Sequence, residues 1–101
     1  MKNVEMVSKA IEKIMTKPVV NWYRVTELSE EQYEIKFYIN FYVDGENEMK
    51  VFESDVQELV KAIEDNTLIK IDNNYHILVI SDVDIIDNSI LEVTTICEKI
   101  I

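Results

Sequence analysis

The chain has 101 residues, 48% hydrophobic and 30% charged, with twenty acids against ten bases and a net charge of −10. A chain of that length fits one domain over residues 1–101 that buries roughly two-thirds of its unfolded surface, and its hydrophobic content excludes intrinsic disorder. One glycine, one proline, and neither a linker nor a repeat exclude a multidomain array and a glycine-rich phosphate loop.

The charge is unevenly spread. Lys2, Lys9, Lys13, Lys17 and Arg24 outnumber Glu5 and Glu12 in the first 24 residues, a net of +3; the remainder holds eighteen acids against five lysines, a net of −13. Such a field repels nucleic acid and anionic membrane and attracts basic protein surfaces. Cys97 is the only cysteine, so no intrachain disulfide forms, which suits a reducing cytoplasm. The opening MKNVEMVSKAIEKIM lacks the unbroken apolar core of a signal peptide, and no run approaches the roughly 18 residues that span a bilayer. The expected location is therefore the cytoplasm of a bacterium, or of a host cell if the chain is phage-encoded, a source that the Ile-, Asn- and Lys-rich, Ala-poor composition fits.

In chain order, Asn3 caps a first helix over about residues 4–16, with Val4, Val7, Ile11, Ile14 and Met15 at helical spacing and Pro18 ending it. Val19 to Leu28 reads as a strand. Tyr33, Ile35, Phe37, Ile39, Phe41 and Val43 then alternate with polar or amphipathic residues, the mark of a strand with one buried face. Asp44-Gly45 signals a hairpin turn, and Met49, Val51 and Phe52 supply a returning strand. Ser54-Asp55-Val56-Gln57 is a capping box that opens a second helix over about residues 55–65, with Val56, Leu59, Val60 and Ile63 as its apolar stripe. Leu68–Ile71 and Tyr75–Ser81 form a second hairpin around Asp72, Asn73 and Asn74; the continuous run Ile77–Ile80 reads as a central strand. The last segment, residues 90–101, fits a helix and a strand alike. Ser89 and Glu92 make another capping box and tip the reading towards helix, against the β-branched content. The expected architecture is α+β, a mostly antiparallel sheet of four to six strands with two or three helices on one face.

No constellation specifies a reaction. His76 is the only histidine and reads as a structural residue at a strand end; one His and one Cys cannot furnish an ordinary zinc site. The acids Asp82, Asp84, Asp87 and Glu92 fail the EF-hand spacing, which would need Gly where Asp87 stands and Glu where Val93 stands. No cofactor or metal is expected, and no enzyme activity.

What remains is surface. Glu27, Glu30, Glu31 and Glu34 form one acidic cluster, Asp44, Glu46 and Glu48 a second with Glu53, Asp55 and Glu58, and Asp82, Asp84 and Asp87 a third. Tyr38 and Tyr42 point away from the core side of the long strand, roughly 13 Å apart along it. Tyrosine anchors with a charged rim match the anatomy of protein interfaces. The expected function is that of an acidic interaction protein that inhibits a basic, nucleic-acid-handling partner, in the manner of nucleic-acid mimics, toxin immunity proteins, or anti-CRISPRs and other phage anti-defence proteins. The alternative is a self-associating structural or regulatory domain of a bacterial or phage assembly, a homodimer through Ile96, Ile100 and Ile101.

Overall fold

A computed structural model describes residues 2–15, 22–40, 46–86 and 90–100, with side chains described for 4–15, 22–40, 53–86 and 90–100. Two helices, α1 (Lys2–Ile14) and α2 (Glu46–Asp65), accompany five strands, β1 (Trp22–Glu27), β2 (Gln32–Asn40), β3 (Leu68–Ile71), β4 (Asn74–Ile86) and β5 (Ile90–Lys99). The strands form one sheet in the order β1-β2-β5-β4-β3, every neighbouring pair antiparallel. The fold is α+β, as the sequence predicts.

Both helices cover one face. Val7 and Ile11 of α1 and Leu59 and Ile63 of α2 meet Ile35, Phe37, Ile39, Leu78, Val93 and Cys97 in a single buried cluster. The alternation in β2 sets this face: Tyr33, Ile35, Phe37 and Ile39 point inward, while Glu34, Lys36, Tyr38 and Asn40 point to the other side. α1 packs on both β1 and β3, the two edge strands. The sheet therefore curls until its edges converge on α1; Tyr23 of β1 donates its hydroxyl to Glu12 Oε1 at 2.9 Å, and Ile69 and Ile71 of β3 belong to the same buried cluster as Val7 and Ile11.

Three expectations are corrected. The returning strand at Met49–Phe52 does not exist, because α2 begins at Glu46 and runs unbroken through Ser54, which lies mid-helix. Met49, Phe52, Val56, Leu59 and Ile63 recur at alternating spacings of three and four, so helical periodicity extends past the apparent capping box. The Asp44-Gly45 turn lies outside the described residues, as does Pro18. The last segment is a strand, not a helix: β5 lies between β2 and β4, where Val93, Thr95 and Cys97 are buried. Pairing on both sides outweighs a local cap that a helix there would have used. Consequently β5 is the central strand; β4 lies next to the edge, and alternate residues of its apolar run stay exposed.

Two local devices shape β4. Asp72 and Asn73 adopt positive φ (48° and 66°), as the two central residues of a tight hairpin turn require, and pair Ile71 with Asn74. At Ser81 a β-bulge shifts the register between Ile80 and Asp82. Before it, His76, Leu78 and Ile80 face the helices; without it, Asp82 and Asp84 would follow them inward. The extra residue reverses the alternation and delivers both aspartates to the helix-free face.

Candidate functional site

The helix-free face of the sheet is the most distinctive surface of the molecule. Pairing sets its side chains in rows across the strands. One row reads Trp22, Tyr38, Glu92, Asp84; the next reads Arg24, Lys36, Thr94, Asp82. Below them lie Thr26, Glu34, Ile96, Val79, and then Gln32, Glu98, Ile77, Leu68.

The β1–β2 side of this face is closed by its own side chains. Trp22 stacks on Tyr38 with ring centroids 4.9 Å apart and planes 17° from parallel, which reduces Tyr38 to 7% exposure. Lys36 Nζ lies 3.5 Å from Glu92 Oε1 and 4.0 Å from Glu34 Oε1. Burial raises the Tyr38 hydroxyl pKa above its ordinary 10.0, and the hydrogen bond to Glu92 and the charge of that carboxylate add to the shift. The hydroxyl thus stays protonated as a donor, and Glu92 is held by Lys36 and Tyr38 together.

The β4–β3 side is open. Leu68 is 57% exposed, Val79 49%, Tyr75 41% and Ile77 36%, all on adjacent strands, with half-buried Ile96 beside Val79. Exposed Asp82 and Asp84 lie at one end of this strip and exposed Glu98 lies opposite Ile77. An apolar strip with a carboxylate rim is the composition of a docking surface, since an isolated soluble domain gains nothing by leaving such a strip wet.

The twelve partner-binding residues read from sequence are not brought together. Glu27, Glu30 and Glu31 lie at the β1–β2 turn, beside Lys99, whose amide donates to the Glu31 carbonyl at 2.8 Å. Asp84 pairs with Glu92, seven residues back along β5, so these acids are roughly 23 Å from the turn cluster. Glu34 lies between them on the open face, already paired with Lys36. Tyr38 is on the predicted face, but Trp22 covers it. Glu46 and Glu48 lie in the first turn of α2; Tyr42, Asp44 and Asp87 lie outside the described residues. Sequence reasoning missed the apolar half of the site, Leu68, Tyr75, Ile77 and Val79, because it placed β4 in the middle of the sheet. It missed Glu98 because it made the last segment a helix.

Groups with reactive chemistry are sealed. Burial pushes the Cys97 thiol from 9.0 up to about 11, which leaves it protonated and poorly nucleophilic at neutral pH. His76 is buried on the helix-bearing face, with Nδ1 3.3 Å from the Asn74 carbonyl oxygen. Among the described residues no three His, Cys, Asp or Glu side chains converge as metal ligands, and no described helix is long and apolar enough to cross a membrane. No family model, no curated protein and no solved structure matches the chain.

Proposed function

We propose that the chain is a non-enzymatic interaction protein that docks the open face of its sheet against a basic surface of another protein and inhibits it by occupying that surface. One observation carries the reading: the exposed strip Leu68, Tyr75, Ile77 and Val79 is bordered by Asp82, Asp84 and Glu98 on a face that no described element covers. The apolar strip supplies area to bury, and the carboxylates supply orientation and fast encounter. A nucleic-acid-handling partner fits best, because such proteins carry cationic grooves shaped for phosphate. The inhibitor classes that work this way are nucleic-acid mimics, toxin immunity proteins and phage anti-defence proteins, anti-CRISPRs among them. The net charge of −10 opposes direct contact with nucleic acid.

The test is capture from host lysate at low salt, elution with a salt gradient, and titration of the isolated partner's activity with the chain. Asp82→Asn/Asp84→Asn/Glu98→Gln should slow association and lower its salt dependence, and Ile77→Lys/Val79→Lys should weaken binding by about tenfold or more. Equal affinity of both variants and the parent chain would contradict the proposal.

The same strip favours a second reading, face-to-face packing of two sheets in a homodimer. Ile96 belongs to this face and Ile100 is exposed beyond β5, while Ile101 lies outside the described residues. A sedimentation mass of two chains that reverts to one in Val79→Lys, without capture of a basic partner, would favour it.

A further inference from the structure

The meeting of α1 with the edge strand β3 leaves a groove of about 440 Å³, on the opposite side of β3 from β4. Met6, Ala10 and Ile14 form its helical wall and Ile69 and Ile71 its strand wall. The register fixes what the strand offers there. Ile71 pairs with Asn74 across a two-residue turn and the Leu78 amide donates to the Thr67 carbonyl at 2.7 Å, so Thr67, Ile69 and Ile71 direct their main-chain groups at β4. Leu68 and Lys70 therefore direct their N–H and C=O outward, along an edge that pairs with no further strand among the described residues.

Charge selects the occupant. Lys9 and Lys13 on α1 border the groove, with Asp72 as the one carboxylate among its described lining residues; Lys70 contributes its backbone there, while its ammonium lies 5.9 Å from the Tyr75 ring centroid on the open face. In a chain with twice as many acids as bases, two lysines one helical turn apart beside one apolar groove form a cationic site. A second copy of β3 is a poor occupant, because edge-to-edge pairing would set lysine near lysine.

We propose that this groove binds an extended acidic peptide segment as an added strand on β3. Alternate residues of the segment pack apolar side chains on Met6, Ala10 and Ile14, its backbone pairs with Leu68 and Lys70, and its carboxylates meet Lys9 and Lys13. Strand addition takes affinity from main-chain hydrogen bonds and specificity from alternate side chains. A phosphate chain would satisfy the lysines but leave the outward carbonyls and the apolar walls without partners, which favours peptide over nucleic acid. This site shares Leu68 with the proposed docking face, through its backbone and not its side chain, and does not depend on that face's function.

The experiment is amide NMR of the full chain titrated with an end-blocked hexapeptide alternating valine and glutamate. The largest shifts should fall on Leu68 and Lys70, with others along Met6–Ile14. Lys9→Glu/Lys13→Glu, confined to exposed helix positions, should weaken binding by about tenfold or more. The same peptide N-methylated at alternate residues should not bind, although its charge is unchanged, and a valine–lysine counterpart should not bind either. Overturning results would be no shift at Leu68 and Lys70 at millimolar peptide, equal binding of the N-methylated peptide, or perturbation of the groove by a short oligothymidylate and not by the peptide.

Discussion

Thr95 is fully buried between Ile35 and Ile80 on the helix-bearing face, and its Oγ1 has no hydrogen-bond partner among the described residues. A hydroxyl stripped of water without compensation costs about 1–3 kcal/mol. Thr95→Val keeps the shape and the β-branched backbone preference while removing the polar atom. It should stabilise the fold by about 1 kcal/mol, read as a rise of roughly 4–8 °C in Tm for a domain of this size. A lower Tm would mean that the hydroxyl has a partner. The buried Cys97 thiol and the hydroxyls of Tyr23 and Tyr38 all have pKa values raised by burial, with Glu12 adding to the shift at Tyr23 and Glu92 at Tyr38. For each, the unfolded chain loses its proton first. Their contribution is fully present below the unfolded pKa and is lost as pH rises through the folded one, between 9.0 and about 11 for Cys97. Denaturation midpoints should hold from neutrality to about pH 9 and fall above it, and Cys97→Ala should remove part of the fall; an unchanged profile would contradict the assignment.

At the scale of elements, the bulge at Ser81 decides which face the aspartates take. The Ser81 Oγ donates to the Thr94 carbonyl at 3.3 Å, beside the register shift. Deleting Ser81 would remove the extra residue and leave a regular ladder in which Ile80 still faces the helices and Asp82 and Asp84 still face the open side. The deletion should therefore keep most of the stability, whereas deleting Val79, which gives the same regular ladder but sets Ser81 in place of Ile80 towards the helices, should lower the denaturation midpoint more. Equal effects would mean that Ser81 is not the extra residue of β4. The phase change is visible in the sequence once β4 is known to continue to Ile86. More generally, elements with one distinct face could be read locally: β2 by its alternation, α1 by its stripe, and the β3–β4 turn by its Asp-Asn pair. β5 and the start of α2 could not. Ser89 and Glu92 resemble a helix start, and Ser54 to Gln57 resemble one inside a helix. Only pairing with β2 and β4, which no local window contains, decides the first case.

At the scale of the whole molecule, the proposed function rests on the asymmetry between a helix-covered face and an open one. The acids were readable as sequence clusters, but their distribution was not: the strands carry Glu27, Glu30 and Glu31 to one end of the sheet and Asp82 and Asp84 towards the other. The sheet therefore presents an apolar strip with an acidic border and does not join the three acidic clusters into one face. The most direct test is hydrogen exchange of the chain alone and in complex with its captured partner. Amides of residues 75–84 and 92–98 should gain protection on binding, while α2 stays unchanged. Protection confined to the helices, or to the Glu27–Glu31 turn, would contradict docking through the open face.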